Sequence, residues 1–136
     1  MYFIELINVT GRDQAGLTAM LTDRLAGANV MILDMGQAVI HDFLTLGLMI
    51  RCETGREEVI DDLTRVFHER GLVVSRTRVA EEDYDAWVQR QGQSRTILTL
   101  LARSISADQL AVISKLIADA GLNIDHINRL SGRIPL

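Results

Sequence analysis

The chain has 136 residues, 48% of them hydrophobic and 24% charged, with one proline, one cysteine and a formal net charge of −4. That balance excludes a disordered or fibrous chain and suits a soluble globular protein of one larger domain or two small ones. The net negative charge and scattered Lys and Arg exclude a nucleic-acid or membrane-surface partner. No apolar run nears the roughly 18 residues of a spanning helix and no basic leader opens the chain, so a cytoplasmic protein is expected.

Residues 3–10 are rich in β-branched and aromatic types and stop at Gly11, which predicts a strand entering a turn. Asp13 is then placed to cap a helix whose Leu17, Leu21 and Leu25, with Met20, form an apolar stripe, and Gly27 is placed to close it in a left-handed conformation. Residues 29–40 and 43–52 read as two more strands joined by a hairpin turn at His41-Asp42. Thr54-Gly55-Arg56-Glu57 has the form of a capping box, opening a helix that buries Val59, Leu63, Val66 and Phe67 and ends before Gly71. A strand at residues 72–79 follows. The order βαββαβ predicts an α+β, ferredoxin-like domain over residues 1–80, an antiparallel four-stranded sheet with both helices on one face. The other face is left bare. Because apolar residues occupy both alternating positions of the strands, that face or an edge is expected to meet another sheet or chain.

Residues 81–94 turn polar and acidic, predicting a linker with a short helix pinned by Trp87. The opening plan then recurs: Gly27 and Gly121, and Asn29 and Asn123, are each 94 residues apart. The second copy predicts a strand at residues 96–102, a capping box at Ser106-Ala107-Asp108-Gln109, a helix with Leu110, Ile113, Leu116 and Ile117 on its apolar side, and a strand at residues 123–134. Residues 95–136 thus read as a truncated half repeat, βαβ. Its unpaired edges and apolar helix face predict a homodimer, with two copies completing one another or packing on the partner's first repeat.

The run Gly11-Arg12-Asp13-Gln14-Ala15-Gly16-Leu17, followed by Asn29 and by Ile32-Leu33-Asp34-Met35-Gly36-Gln37-Ala38-Val39-Ile40-His41-Asp42, resembles an ACT domain. Together with Leu130-Ser131-Gly132-Arg133-Ile134-Pro135-Leu136 it resembles, more narrowly, the N-terminal regulatory region of the longer bacterial phosphoserine phosphatases. In that family two ACT-type repeats precede a haloacid-dehalogenase-type catalytic domain that uses Mg²⁺. The chain stops inside the second repeat, so neither catalytic domain nor cofactor is expected within it.

The ligand expectation centres on the turn from Gly11 to Leu17. Glycines at Gly11 and Gly16 let a small molecule approach the backbone, and the amides at the helix start after them carry partial positive charge suited to an amino-acid carboxylate. Asp13 or Asp34 is then available for the ammonium group. In ACT domains ligands sit between this loop and the second strand of a neighbouring repeat or subunit, a resemblance that implicates Asn29, Asp34, Asn123 and Asp125. The competing reading is structural: the glycines only shape a turn, Asp13 only caps, and the asparagines only take turn conformations. In the second copy residues 103–108 contain no glycine, a weaker basis for a ligand.

Catalytic and metal-binding signals are poor. Asp83-Tyr84-Asp85 matches the two-aspartate spacing of haloacid-dehalogenase enzymes, but it follows Ala80-Glu81-Glu82 instead of an apolar strand and has Trp87 where Thr or Val is expected. His41, His68 and His126 lack metal-ligand spacing, the serines and threonines lack a nucleophile elbow, and Cys52 ends a predicted strand as a small buried residue. Arg12 lies in a loop that an acylphosphatase would use but has no partner for that chemistry. The leading expectation is therefore a non-catalytic regulatory and dimerising module that senses L-serine or a related amino acid. The alternative is a free-standing double-ACT regulator resembling the glycine-cleavage repressors, acting through protein contacts.

Overall fold

A computed structural model describes residues 1–92 and 94–129. It divides into two compact units, residues 1–93 and 94–136. The first runs β1 (Tyr2–Arg12), α1 (Leu17–Gly27), β2 (Met31–Ile40), β3 (Phe43–Glu53), α2 (Glu58–Glu69), β4 (Val73–Val79) and α3 (Glu81–Arg90). The four strands form one antiparallel sheet in the order β2-β3-β1-β4, the ferredoxin-like arrangement expected from the sequence.

Alternation decides which residues build the core. Phe3, Ile7 and Val9 of β1 face Cys52, Leu48 and Leu46 of β3, and this layer joins Leu17, Leu21 and Leu25 of α1 and Ile60, Leu63 and Phe67 of α2 in one buried cluster. Each such side chain contributes about 1.5–3 kcal/mol on burial. In α2 it is Ile60, not the expected Val59, that is fully buried; Val59 is half-buried. The same face carries one charge, Glu5, which is 3% exposed. It accepts a hydrogen bond from Arg76 and lies 3.5 Å from Arg78, while Arg76 also donates to Asp61 of α2 at 2.6 Å. The hydrogen bond to Glu5 raises the pKa of Arg76, so the guanidinium stays charged. A buried carboxylate is tolerable only with such partners.

The opposite face is not wholly bare. Ile4 lies there, in register with Arg51 and Val79, and is 1% exposed. Arg51 pairs with Glu81 at 3.3 Å and stacks over Tyr84, which brings α3 across that row; Trp87 packs against Tyr84. Farther along, Ile40, Phe43 and Val73 remain exposed.

The ends of α1, α2 and the helix of the second unit share one solution. Asn29, Gly71 and Gly121 all have positive φ, and the next amides, of Val30, Leu72 and Leu122, donate to Leu25, Phe67 and Ile117. These are Schellman closures. Gly27, expected in that role, is still helical, and Asn29 takes its place. Two expected caps also fail: α1 begins at Leu17 beyond reach of Asp13, and α2 begins at Glu58 with no side-chain cap, because Thr54 bonds back to Met1 and Gly55 turns the chain at φ 94.

In the second unit α4 (Ala107–Asp119) carries the expected capping box: Gln109 N–H donates to Ser106 Oγ and Ser106 N–H to Gln109 Oε1. Ile113 and Ile117 are half-buried, whereas Leu110 and Leu116 are exposed. The strands expected at residues 96–102 and 123–134 do not form among the described residues; positions 130–136 lie outside them. The first unit explains this. There β1 and β2 never pair with each other, since both pair with β3. Among the described residues of the second unit no third strand stands between the segments expected to be strands, and without a ladder partner they stay irregular.

Candidate ligand site

The loop after β1 is held at its start by two adjacent residues. Asp13 N–H donates to the Asp42 carbonyl at 2.8 Å, tying the loop to the β2–β3 turn, and Gln14 Nε2 donates to the Arg70 carbonyl at 3.0 Å, tying it to the end of α2. Past these tethers the chain rises into α1 through Gly16, whose φ of 84 places it in the left-handed region. No side chain caps α1, and its first internal bond runs from Met20 N–H to Gly16 carbonyl. The amides of Leu17, Thr18 and Ala19 are left as donors at the positive end of the helix. α4, by contrast, closes its own start with Ser106 and Gln109.

A cavity of about 380 Å³ lies against this helix start, lined by Asp13, Gly16, Leu17, Thr18, Gln37 and Leu44, among others. Across it Thr18 Oγ1 donates to Gln37 Oε1 at 2.8 Å, joining α1 to β2. The arrangement offers helix amides to an anion, a carboxylate at Asp13 to a cation, an apolar floor at Leu44 and an alcohol–amide pair at the rim. Those are the contacts a zwitterionic amino acid needs.

Of the residues expected to bind ligand, the cavity brings together Asp13, Gly16 and Leu17. Gly11 is elsewhere: a Cβ there would stand 2.5 Å from Leu72 Cδ2, so its glycine serves close packing. Asn29 closes the far end of α1. Asp34 is turned away by a bulge, for the register shifts between Ile32 and Asp34 and leaves Asp34 opposite Met49 on the other sheet face. Its Oδ1 accepts from Met35 N–H at 2.9 Å. Asn123 and Asp125 belong to the second unit, where they bond to each other at 3.2 Å. Sequence reasoning passed over Gln14, Thr18 and Gln37. Gln37 had a signal: it interrupts the apolar series Met35, Val39 at alternating positions.

The remaining groups are accounted for. Asp83 and Asp85 lie on α3, where residues two apart point roughly 200° from each other and do not converge. Burial raises the pKa of the Cys52 thiol, which lies among backbone carbonyls and the core. A second cavity of about 550 Å³ between α1 and α2 is lined by charges already paired, Arg24 with Asp62 at 3.1 Å and Arg56 with Glu58 at 3.9 Å. Among the described residues no cluster of three His, Cys, Asp or Glu is placed to hold a metal, and no helix is long and apolar enough to cross a membrane.

The sequence pattern of the ACT domain matches residues 4–77, more than half of the chain and the whole four-stranded sheet apart from its last turns. The chain belongs to the ACT-domain family. This ACT chain is 35% identical over 129 residues to a phosphoserine phosphatase of Mycobacterium tuberculosis, and 31% identical over 128 residues to one of Streptomyces coelicolor. In both cases the match covers 93% of this chain and 30% of the relative, so the chain spans under a third of their length. Among solved structures, a protein designated a glycine cleavage system transcriptional repressor superposes with a TM-score of 0.56 at 18% identity, over 61% of this chain and 49% of that one. A protein from Galdieria sulphuraria gives 0.52 at 12%, over 60% and 47%. Both share the ACT fold with this chain.

Proposed function

We propose that this ACT chain is the amino-acid-sensing, dimerising region of a cytoplasmic phosphoserine phosphatase, and that its ligand is L-serine or a close relative. The observation that carries the reading is the uncapped start of α1 opening into a cavity with Asp13 on one side and Thr18 and Gln37 on the other. The carboxylate of the ligand takes the place of the missing cap, and Asp13 takes the ammonium group. Hydrolysis of O-phosphoserine, with its Mg²⁺, is the work of residues beyond this chain. Serine is the organic product of that reaction, which makes it a fitting signal for feedback.

Dimerisation supplies the transmission. β2 is an edge strand with Met31, Ile32, Met35 and Ile40 exposed, and pairing of two β2 edges extends the sheet. Because Gln37 lies on β2, a partner there also walls the cavity, so ligand and partner stabilise each other's binding to the same extent. Titration calorimetry of L-serine into the chain, with glycine, L-threonine and O-phosphoserine as competitors, tests the reading. Saturable serine binding weakened by Asp13→Ala is expected. Heat with none of these ligands would remove the sensing role and leave dimerisation or protein contact as the function.

A further inference from the structure

The Thr18–Gln37 hydrogen bond bridges two elements across the mouth of the cavity, yet neither the helix nor the sheet needs it. Thr18 stands in the first turn of α1, where the backbone already sets the helix, and Gln37 is an exposed residue of an edge strand whose ladder bonds run to β3. Only one of the pair's hydrogen-bonding capacities is used internally. The Thr18 hydroxyl gives its proton to Gln37 Oε1, leaving its lone pairs, and the Gln37 amide nitrogen has no partner among the described residues. A free acceptor and a free donor therefore stand side by side at the rim, facing the floor made by Leu17 and Leu44.

We infer that Thr18 and Gln37 select the side chain of the ligand, favouring a small hydroxyl-bearing amino acid over its apolar counterpart. The inference rests on the amino-acid reading of the cavity and adds to it the group that discriminates. A hydroxyl both donates and accepts, so it answers the Thr18 oxygen and the Gln37 N–H₂ together. A methyl group answers neither and strips both of water. Volume does not discriminate, because about 380 Å³ is ample for serine and alanine alike. Since Gln37 is exposed, water competes for the same groups, and the preference is moderate: about three- to tenfold for L-serine over L-alanine.

The test is the ratio of the two dissociation constants, measured by calorimetry for the unaltered chain and for Thr18→Val and Gln37→Met, substitutions that keep shape and remove the polar group. The expected result is a serine-to-alanine preference that falls toward one in each variant while alanine affinity changes by less than about twofold. An unchanged ratio, or an equal loss of both ligands, would overturn the selective role and leave the pair as a latch between α1 and β2, with the amino-acid site intact. If the unaltered chain binds neither amino acid, the reading of the cavity itself fails, and selection fails with it. Circular dichroism of each variant keeps a folding defect from passing as a loss of selection.

Discussion

Two nearby glycines, Gly11 near the end of β1 and Gly16 at the start of α1, do different jobs, and the difference is measurable. Gly11 is crowded, with Leu72 Cα 3.4 Å and Cδ2 2.5 Å from where a Cβ would stand, whereas Gly16 has open space around it and is special only in its φ of 84. Gly11→Ala is therefore expected to destabilise the fold by about 1–3 kcal/mol through overpacking added to strain at its own positive φ of 154, and Gly16→Ala by about 1 kcal/mol through backbone strain alone. Denaturant unfolding measures both, and serine titration should show the second change disturbing the ligand more than the fold. From sequence the two positions look alike, because the neighbour Leu72, 61 residues along the chain from Gly11, is not visible there. The side of β2 that Asp34 occupies is equally hidden in the sequence. One extra residue at Leu33 reverses which side of β2 faces the helices, and alternation counted from Ile32 puts Asp34 on the wrong side.

At the scale of elements, the strands and helix stripes were legible because burial follows a period of two or 3.6, and the core cluster holds the leucines those periods select. Helix starts were less legible. Ser106-x-x-Gln109 and Thr54-x-x-Glu57 match the same pattern, yet only the first forms a capping box. A cap requires the residue to stand where the helix begins, and Thr54 is still engaged at the sheet's end through Met1. Ser106→Ala is expected to destabilise α4 by about 1 kcal/mol, seen as lost helicity on mild heating. Thr54→Ala should leave α2 within about 0.5 kcal/mol of its original stability. A comparable loss in both would mean that Thr54 caps α2 in solution.

For the molecule as a whole, the exposed apolar residues of the first unit gather along β2 and its turn, while β4 exposes only Val73 among the large ones. Light scattering at high micromolar concentration is expected to show a dimer, and Ile32→Lys with Ile40→Lys to give a monomer with an unchanged circular dichroism spectrum. A monomer before substitution would dismiss the edge as an interface. Asn29 and Gly121 do the same work at two helix ends, although the sequence offset pairs Gly27 with Gly121. The starts of α1 and α4 differ more. α4 finishes its first turn with its own serine and glutamine, and α1 leaves the turn open beneath a glycine. A helix that leaves its first amides unclaimed keeps a berth for a guest from outside the chain, and a helix that claims its own amides has none to offer.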